Sequence, residues 1–145
     1  MPTKEELIAK LNEALTLEHQ ARIQYMTHAQ HISGPNAEPI IERLEELAAD
    51  EKDHEEKFRE LIAAYLGGTP TMKMHEPHPA TTLDAILNTN LEDEKSAIDL
   101  YMEIYDMIMQ MRDELKYSWF QCIHKIREII ADENEHVMEL NTIKG

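Results

Sequence analysis

Apolar residues recur at intervals of three and four along four stretches of the chain, the period of amphipathic helices that share a core. The first stripe runs Leu7, Leu11, Leu15, Ala21, Tyr25, Ala29 and Ile32. Thr3 and Glu6 make a capping-box pattern at its start, and Ser33-Gly34-Pro35-Asn36 closes it. The second stripe carries Ile40, Leu44, Leu47, Phe58, Leu61 and Tyr65, opens beside Pro39 and stops at Gly67-Gly68. The third carries Leu83, Leu87, Leu91, Ile98, Tyr101, Tyr105 and Ile108, and the fourth Trp119, Ile123, Ile126, Ile130 and Leu140. The turn between these two has neither Gly nor Pro. It is placed between Met111 and Ser118, with Ser118-x-x-Gln121 as a capping box. The pattern predicts one all-α domain over residues 1–145, with helices over 4–33, 37–66, 82–112 and 115–143.

Residues 67–80 contain Pro70, Pro77 and Pro79 and read as an extended connection. About 14 extended residues reach up to about 46 Å, and a helix of about 27 residues is about 40 Å long. The connection can therefore run the length of a bundle. That makes a four-helix bundle of two helical hairpins joined by a long crossover.

Charged residues interrupt each stripe in the body of its helix. Glu18 stands at heptad spacing from Leu11, Tyr25 and Ile32, Glu51 and His54 interrupt the second stripe, and Glu94 the third. In the fourth, Glu133 lies inside the phase and His136 beside Val137. Burying one ionised carboxylate costs several kcal/mol even after relaxation, and four together repel one another. Two divalent cations would balance four carboxylates with the histidines neutral. Glu51-x-x-His54 and Glu133-x-x-His136 each put both side chains on one helix face. A Glu from each of two helices plus Glu-x-x-His from each of the other two is a dimetal arrangement of helical bundles. The halves also repeat: Glu18-x-x-Ala21-x-x-x-Tyr25 is echoed by Glu94-x-x-Ala97-x-x-x-Tyr101, and Ala49-Asp50-Glu51-x-x-His54 by Ala131-Asp132-Glu133-x-x-His136.

Composition narrows the alternatives. With 42% hydrophobic and 30% charged residues the chain suits a globular domain, and four glycines are few for a many-stranded sheet. The formal charge of -15, from 29 acids against 14 Lys and Arg, repels phosphate backbones and anionic headgroups, so neither nucleic acid nor membrane is expected as a partner. Cys122 is the only cysteine, which excludes an intrachain disulfide and a thiolate cluster. There is no apolar leader and no run long enough to span a bilayer, and a cytoplasmic location is expected. No Gly-rich phosphate loop and no nucleophile triad stand out.

The order of these residues resembles the ferritin-like di-iron superfamily, and within it bacterioferritin, over nearly the whole chain, including Leu66-Gly67-Gly68-Thr69-Pro70. The resemblance implies that Glu18, Glu51, His54, Glu94, Glu133 and His136 bind two irons as a ferroxidase centre that oxidises Fe(II) with O2 or H2O2, in iron homeostasis or protection from oxidative stress. Spacing alone leaves Mn or Zn open. A non-catalytic metal carrier and a rubrerythrin-like peroxidase lacking a rubredoxin domain are the alternatives. Bacterioferritins bind haem through a Met directly after the helix-two Glu; here that position is Lys52, so haem is not expected. The chain stops at Gly145, soon after His136, where ferritins add a short fifth helix. The expected assembly is therefore a homodimer rather than a large shell, paired through the Met-rich side of helix three (Met102, Met107, Met109, Met111).

The resemblance also implies that Asp50 and Asp132 reach the histidine of the opposite hairpin; solvated helix positions are the plainer reading. Tyr25 and Tyr101 read as core residues whose hydroxyls need partners, with a hydrogen-bonding or redox role beside the metals open to Tyr25. His28, His31, His75 and His78 read either as exposed residues or as transient metal ligands.

Overall fold

Thr3 caps the first helix: its hydroxyl accepts from the Glu6 N–H at 3.2 Å and donates to the Glu6 carboxylate at 3.1 Å. In the computed structural model, which describes residues 1–145, α1 spans Lys4–Ala29 and α2 spans Ala37–Glu60. One π-helical turn, Leu61–Tyr65, continues α2. Next come α3 (Leu83–Met109), the single turn α4 (Arg112–Leu115), a 3-10 turn (Lys116–Ser118) and α5 (Trp119–Lys144). There is no strand, and no helix is long and apolar enough to cross a membrane. α1 packs chiefly on α2 and α3 on α5, while contacts between α1 and α3 join the two hairpins.

Helix ends differ from the predicted ones for local reasons. α1 stops at Ala29, not 33, because the Gln30 and His31 N–H groups bond back to Thr27 and His28 carbonyls, tightening the last turn before Gly34 at φ 105. The third turn is wider than expected, with α3 ending at Met109 and α5 starting at Trp119. Ser118 makes no cap; its hydroxyl donates back to the Leu115 carbonyl at 3.1 Å. Lys116 takes φ 47 in place of a glycine, a backbone strain of about 1–3 kcal/mol. Trp119 secures the corner by donating its indole N–H to the Ile108 carbonyl at 2.8 Å.

The buried stripes also slip by one position in places. The π turn shifts burial from Tyr65 to Ile62 and Leu66. α3 buries Ala97, Tyr101, Ile104 and Ile108, leaving Ile98 and Tyr105 half-buried, and α5 buries Ile129 and His136 in preference to Ile130 and Val137. A straight helix drifts about 20° per heptad, so a seven-residue pattern read along a helix this long loses its phase.

The apolar core is in two parts. One cluster holds Leu7, Leu11, Leu15, Phe58, Tyr101, Ile104, Ile126 and Ile129 among others; the other holds Tyr25, Leu44, Leu47, Leu87, Leu91 and Leu140. Each bundle helix leaves one cluster and joins the other across the charged positions: Glu18 lies between Leu15 and Tyr25, Glu51 and His54 between Ala48 and Phe58, Glu94 between Leu91 and Ala97, Glu133 and His136 between Ile129 and Leu140. Full burial of a large apolar side chain stabilises by about 1.5–3 kcal/mol. The two clusters therefore hold the polar layer in place.

The crossover lies along α1. Asn12 accepts from the Thr71 N–H at 2.8 Å and donates to the Thr69 carbonyl at 3.1 Å. His19 Nδ1 donates to the Lys73 carbonyl at 2.7 Å, and the His75 N–H to the Thr16 carbonyl at 3.1 Å. Gly68 permits the close start of this path, since a Cβ there would meet Ile8 Cγ2 at 2.9 Å.

Candidate metal centre

Glu18, Glu51, His54, Glu94, Glu133 and His136 are all buried, at 3% exposure or less. Their ligand atoms form two groups, each within 4.8 Å: Glu18, Glu51, His54 and Glu133 in one, Glu51, Glu94, Glu133 and His136 in the other. Glu51 and Glu133 belong to both groups and so could serve both ions.

His54 Nδ1 lies 3.0 Å from Glu133 Oε1 and 3.6 Å from Glu18 Oε2; His136 Nδ1 lies 3.1 Å from Glu51 Oε1 and 3.4 Å from Glu94 Oε1. These approaches are close enough for charge interaction but off the geometry of hydrogen bonds. Glu18 Oε2, Glu51 Oε1, His54 Nδ1, Glu94 Oε2, Glu133 Oε1 and His136 Nδ1 are buried without a hydrogen-bond partner. Leaving one such atom unsatisfied costs about 1–3 kcal/mol. One orphaned atom from each of six residues converges on one place, and a hard or borderline divalent cation takes such a carboxylate and imidazole set. The residues fit a dimetal centre.

The remaining atoms are held from outside. His54 Nε2 donates to Asp132 Oδ2 and His136 Nε2 to Asp50 Oδ2, both at 2.9 Å. Because a carboxylate only accepts, these contacts put the proton on Nε2 and leave Nδ1 facing inward. Tyr25 donates to Glu94 Oε1 at 2.6 Å and Tyr101 to Glu18 Oε1 at 2.5 Å.

Without metal, this layer holds protons. Burial, reinforced by the neighbouring carboxylates, pushes the Glu51 and Glu133 carboxyls well above the usual range. Burial acts on Glu94 in the same sense, but the close Glu133 carboxyl, the His136 ring and the Tyr25 hydroxyl outweigh it and hold Glu94 low. Burial would lower both imidazoles. The carboxylates of Glu133 and Glu18 instead lift His54 to about 12, and those of Glu94 and Glu133 lift His136 to about 10. Burial and the nearby carboxylates keep Tyr25 and Tyr101 protonated as donors.

Beside this layer lies a cavity of about 220 Å³, bounded inside by Glu51, Glu94 and Glu133 and outside by His75, His78 and Asp93. The sequence reading missed a buried polar network here, of which Gln20 and Asn90 line the cavity and Gln24 and His28 lie behind it. Gln20, Gln24, His28 and Asn90 are buried, and His28 is not the exposed residue expected. Gln24 donates to Asn90 at 3.1 Å and to Asp93 at 2.7 Å, and the His78 N–H donates to Gln24 at 2.8 Å. His28 accepts from Asn90 at 2.9 Å and donates to the His78 carbonyl at 3.0 Å, and burial lowers its pKa in keeping with a neutral ring. The signal was present in the spacing: residues 20, 24 and 28 form a polar i, i+4 stripe beside the apolar one. His31, His75 and His78 are exposed.

Paired helical hairpins enclosing a carboxylate and histidine cluster define a ferritin-like bundle. The chain belongs to the ferritin-like domain family, whose model matches residues 8–144. It is 28% identical over 155 aligned residues to a bacterial ferritin of Neisseria meningitidis, covering 97% of this chain and 100% of that one. Among solved structures it is similar to a ferritin-like, diiron-carboxylate protein of Bacillus anthracis, with TM-score 0.89, 27% identity and 100% coverage of both chains. It is also similar to a dodecameric thioferritin, the bacterioferritin-related protein of Bacteroides fragilis, with TM-score 0.82 and 25% identity over 97% of this chain and 84% of that one.

Proposed function

We propose that the chain is a di-iron ferroxidase, binding two Fe(II) ions through Glu18, Glu51, His54, Glu94, Glu133 and His136 and oxidising them to Fe(III). The observation that carries this reading is the convergence of six buried ligand atoms that have no hydrogen-bond partner. Two bound Fe(II) ions supply two electrons, enough with two protons to reduce one O2 to H2O2 or one H2O2 to two waters. Glu51 and Glu133, common to both ligand groups, would serve both ions, while Glu18 with His54 and Glu94 with His136 would each serve one. Asp132 and Asp50 hold the Nε2 protons and so aim each Nδ1 at the centre, and Tyr101 and Tyr25 orient the Glu18 and Glu94 carboxylates. The apolar clusters flank the layer on either side, and the cavity bounded by His75, His78 and Asp93 is its opening to solvent. Membership of the family and the likeness to a diiron-carboxylate protein support iron as the metal.

Anaerobic Fe(II) titration followed by exposure to O2 or to H2O2 tests the reading. Two ions per chain and rapid Fe(III) formation are expected. Binding without oxidation would leave a metal carrier, and no binding would remove the proposal.

The copies are inferred to pair as homodimers through α3, where Met102 and Met109 stand seven residues apart on one face at 43% and 47% exposure. A solution mass of twice 16.9 kDa supports this, and a twelve-chain particle like that of the Bacteroides fragilis relative overturns it.

A further inference from the structure

The crossover does more than join the hairpins. Its His78 side chain lies over the outer end of the cavity whose inner end is formed by Glu51, Glu94 and Glu133. His78 Nδ1 stands 2.9 Å and 3.0 Å from the two oxygens of Asp93, and the His75 ring lies 6.2 Å from the His78 ring, edge-on. The His78 side chain is 48% exposed and that of Asp93 is 26% exposed, so both face solvent and cavity together. The His78–Asp93 contact is a hydrogen bond, and an ion entering between the two groups would replace its proton with little movement, since ligand atoms bonded at about 2.1 Å stand about 3 to 3.4 Å apart. Inside, Glu94, the residue after Asp93, and Glu51 of α2 line the same cavity, and Glu94 Oε2 and Glu51 Oε1 are buried and unpartnered.

We propose that His78 and Asp93, with His75 alongside, form a loading site that takes up a divalent cation from solvent and delivers it through the cavity to the buried centre. The inference rests on the metal-binding reading above and adds its route. Two side-chain ligands and water hold an ion loosely enough to release it, whereas the carboxylate and imidazole layer inside offers four residues to each ion. A cavity of about 220 Å³ has room for an ion with several of its waters, at roughly 30 Å³ per water. Stripping of those waters can thus be left to the inner carboxylates. The half-buried contacts Gln24–Asp93 and His28–His78 fix the mouth in register, since they tie the crossover backbone and Asp93 to α1. A plainer role, in which His78 merely pins the crossover, uses the same contacts and predicts a different outcome.

The test is the rate at which the metal-free full-length protein takes up Co(II), followed by its visible absorption in stopped flow, beside the number of ions bound at equilibrium. A focused site of this kind raises on-rates by 10-fold or more, on the order of magnitude seen for charged clefts. His78→Ala and the double variant with His75→Ala should therefore bind the full complement of Co(II) about tenfold more slowly. His78→Gln keeps an N–H for Asp93 but loses the imidazole ligand, so it should be as slow as His78→Ala. In excess Co(II), once the inner centre is filled, a soaked crystal of the wild-type protein should show further anomalous density between His78 and Asp93. Unchanged uptake in both His78 variants, or normal uptake restored by Gln, would overturn the loading site while leaving the centre intact. Failure of the wild-type protein to bind Co(II) at equilibrium would instead overturn the metal centre itself.

Discussion

His54 of α2 donates its Nε2 proton to Asp132 of α5 at 2.9 Å, and His136 of α5 donates to Asp50 of α2 at the same distance. The residue before each shared glutamate thus holds the histidine of the other hairpin. The two rings lie 6.2 Å apart with planes 24° from parallel, so the repeat in the sequence becomes an approximate twofold arrangement in space.

Removing one of these aspartates should weaken one half of the centre. Asp132→Ala should lower affinity at the group containing His54, and Asp50→Ala at the group containing His136, each by about 10–100-fold. Competition against a chelator of known affinity measures this. Unchanged affinity in both variants would mean that the imidazoles need no outer partner.

The shared and the terminal glutamates should behave differently. Glu51→Ala removes a ligand common to both groups and should abolish or weaken binding of both ions, whereas Glu94→Ala should spare the group of Glu18, Glu51, His54 and Glu133. Metal content after dialysis separates the cases. Equal retention of two ions by both variants would refute the ligand assignment.

The metal-free protein should lose stability as pH rises above about 6.5. His54 and His136 have folded values of about 12 and about 10 against an ordinary 6.5, so the native state binds more protons than the unfolded chain over that window. Stability then falls with pH, being fully present below 6.5 and lost as pH approaches the folded values. The raised carboxyls of Glu51 and Glu133 act in the same sense, starting from about 4.5. The groups facing these histidines are Glu18, Glu51, Glu94, Glu133, Asp50 and Asp132. Metal displaces the protons, so the advantage of loaded over metal-free protein should widen on the same rise. Melting curves of both forms between about pH 6 and about pH 9 decide it, and a metal-free curve that rises with pH contradicts the proton-filled core.

Haem should not bind at Lys52 as it does at the Met of bacterioferritins. Lys52 is exposed in an open groove with His19, Arg22 and Arg59 around the buried Glu55, whose carboxylate is paired with Arg22. An ammonium has no lone pair for iron at neutral pH. Incubation with haem and gel filtration should yield no retained Soret band; a stoichiometric six-coordinate complex would contradict this.

The sequence by itself determined the four helices, the two hairpins and the four acids of the central layer, though not Glu55, which is buried outside it against Arg22. A carboxylate in the body of an apolar stripe costs too much to bury without a reason, and the duplicated Glu-x-x-His repeat tied the halves together. It did not determine the phase of α3 and α5 beyond a few turns, because helical drift moves burial from Ile130 and Val137 to Ile129 and His136. Nor did it expose the π turn, which depends on how Ile62 and Leu66 fit against neighbouring helices. Which glutamates are shared is likewise a matter of three-dimensional distance: the two motifs set Glu51 and Glu133 apart from Glu18 and Glu94 in the sequence, but only packing brings the first pair within reach of both groups. The polar network of Gln20, Gln24, His28 and Asn90 stayed hidden for the same reason. Those residues are buried by a crossover that has no periodicity of its own, and its path over α1 is set by side-chain to backbone hydrogen bonds that form only once the bundle exists.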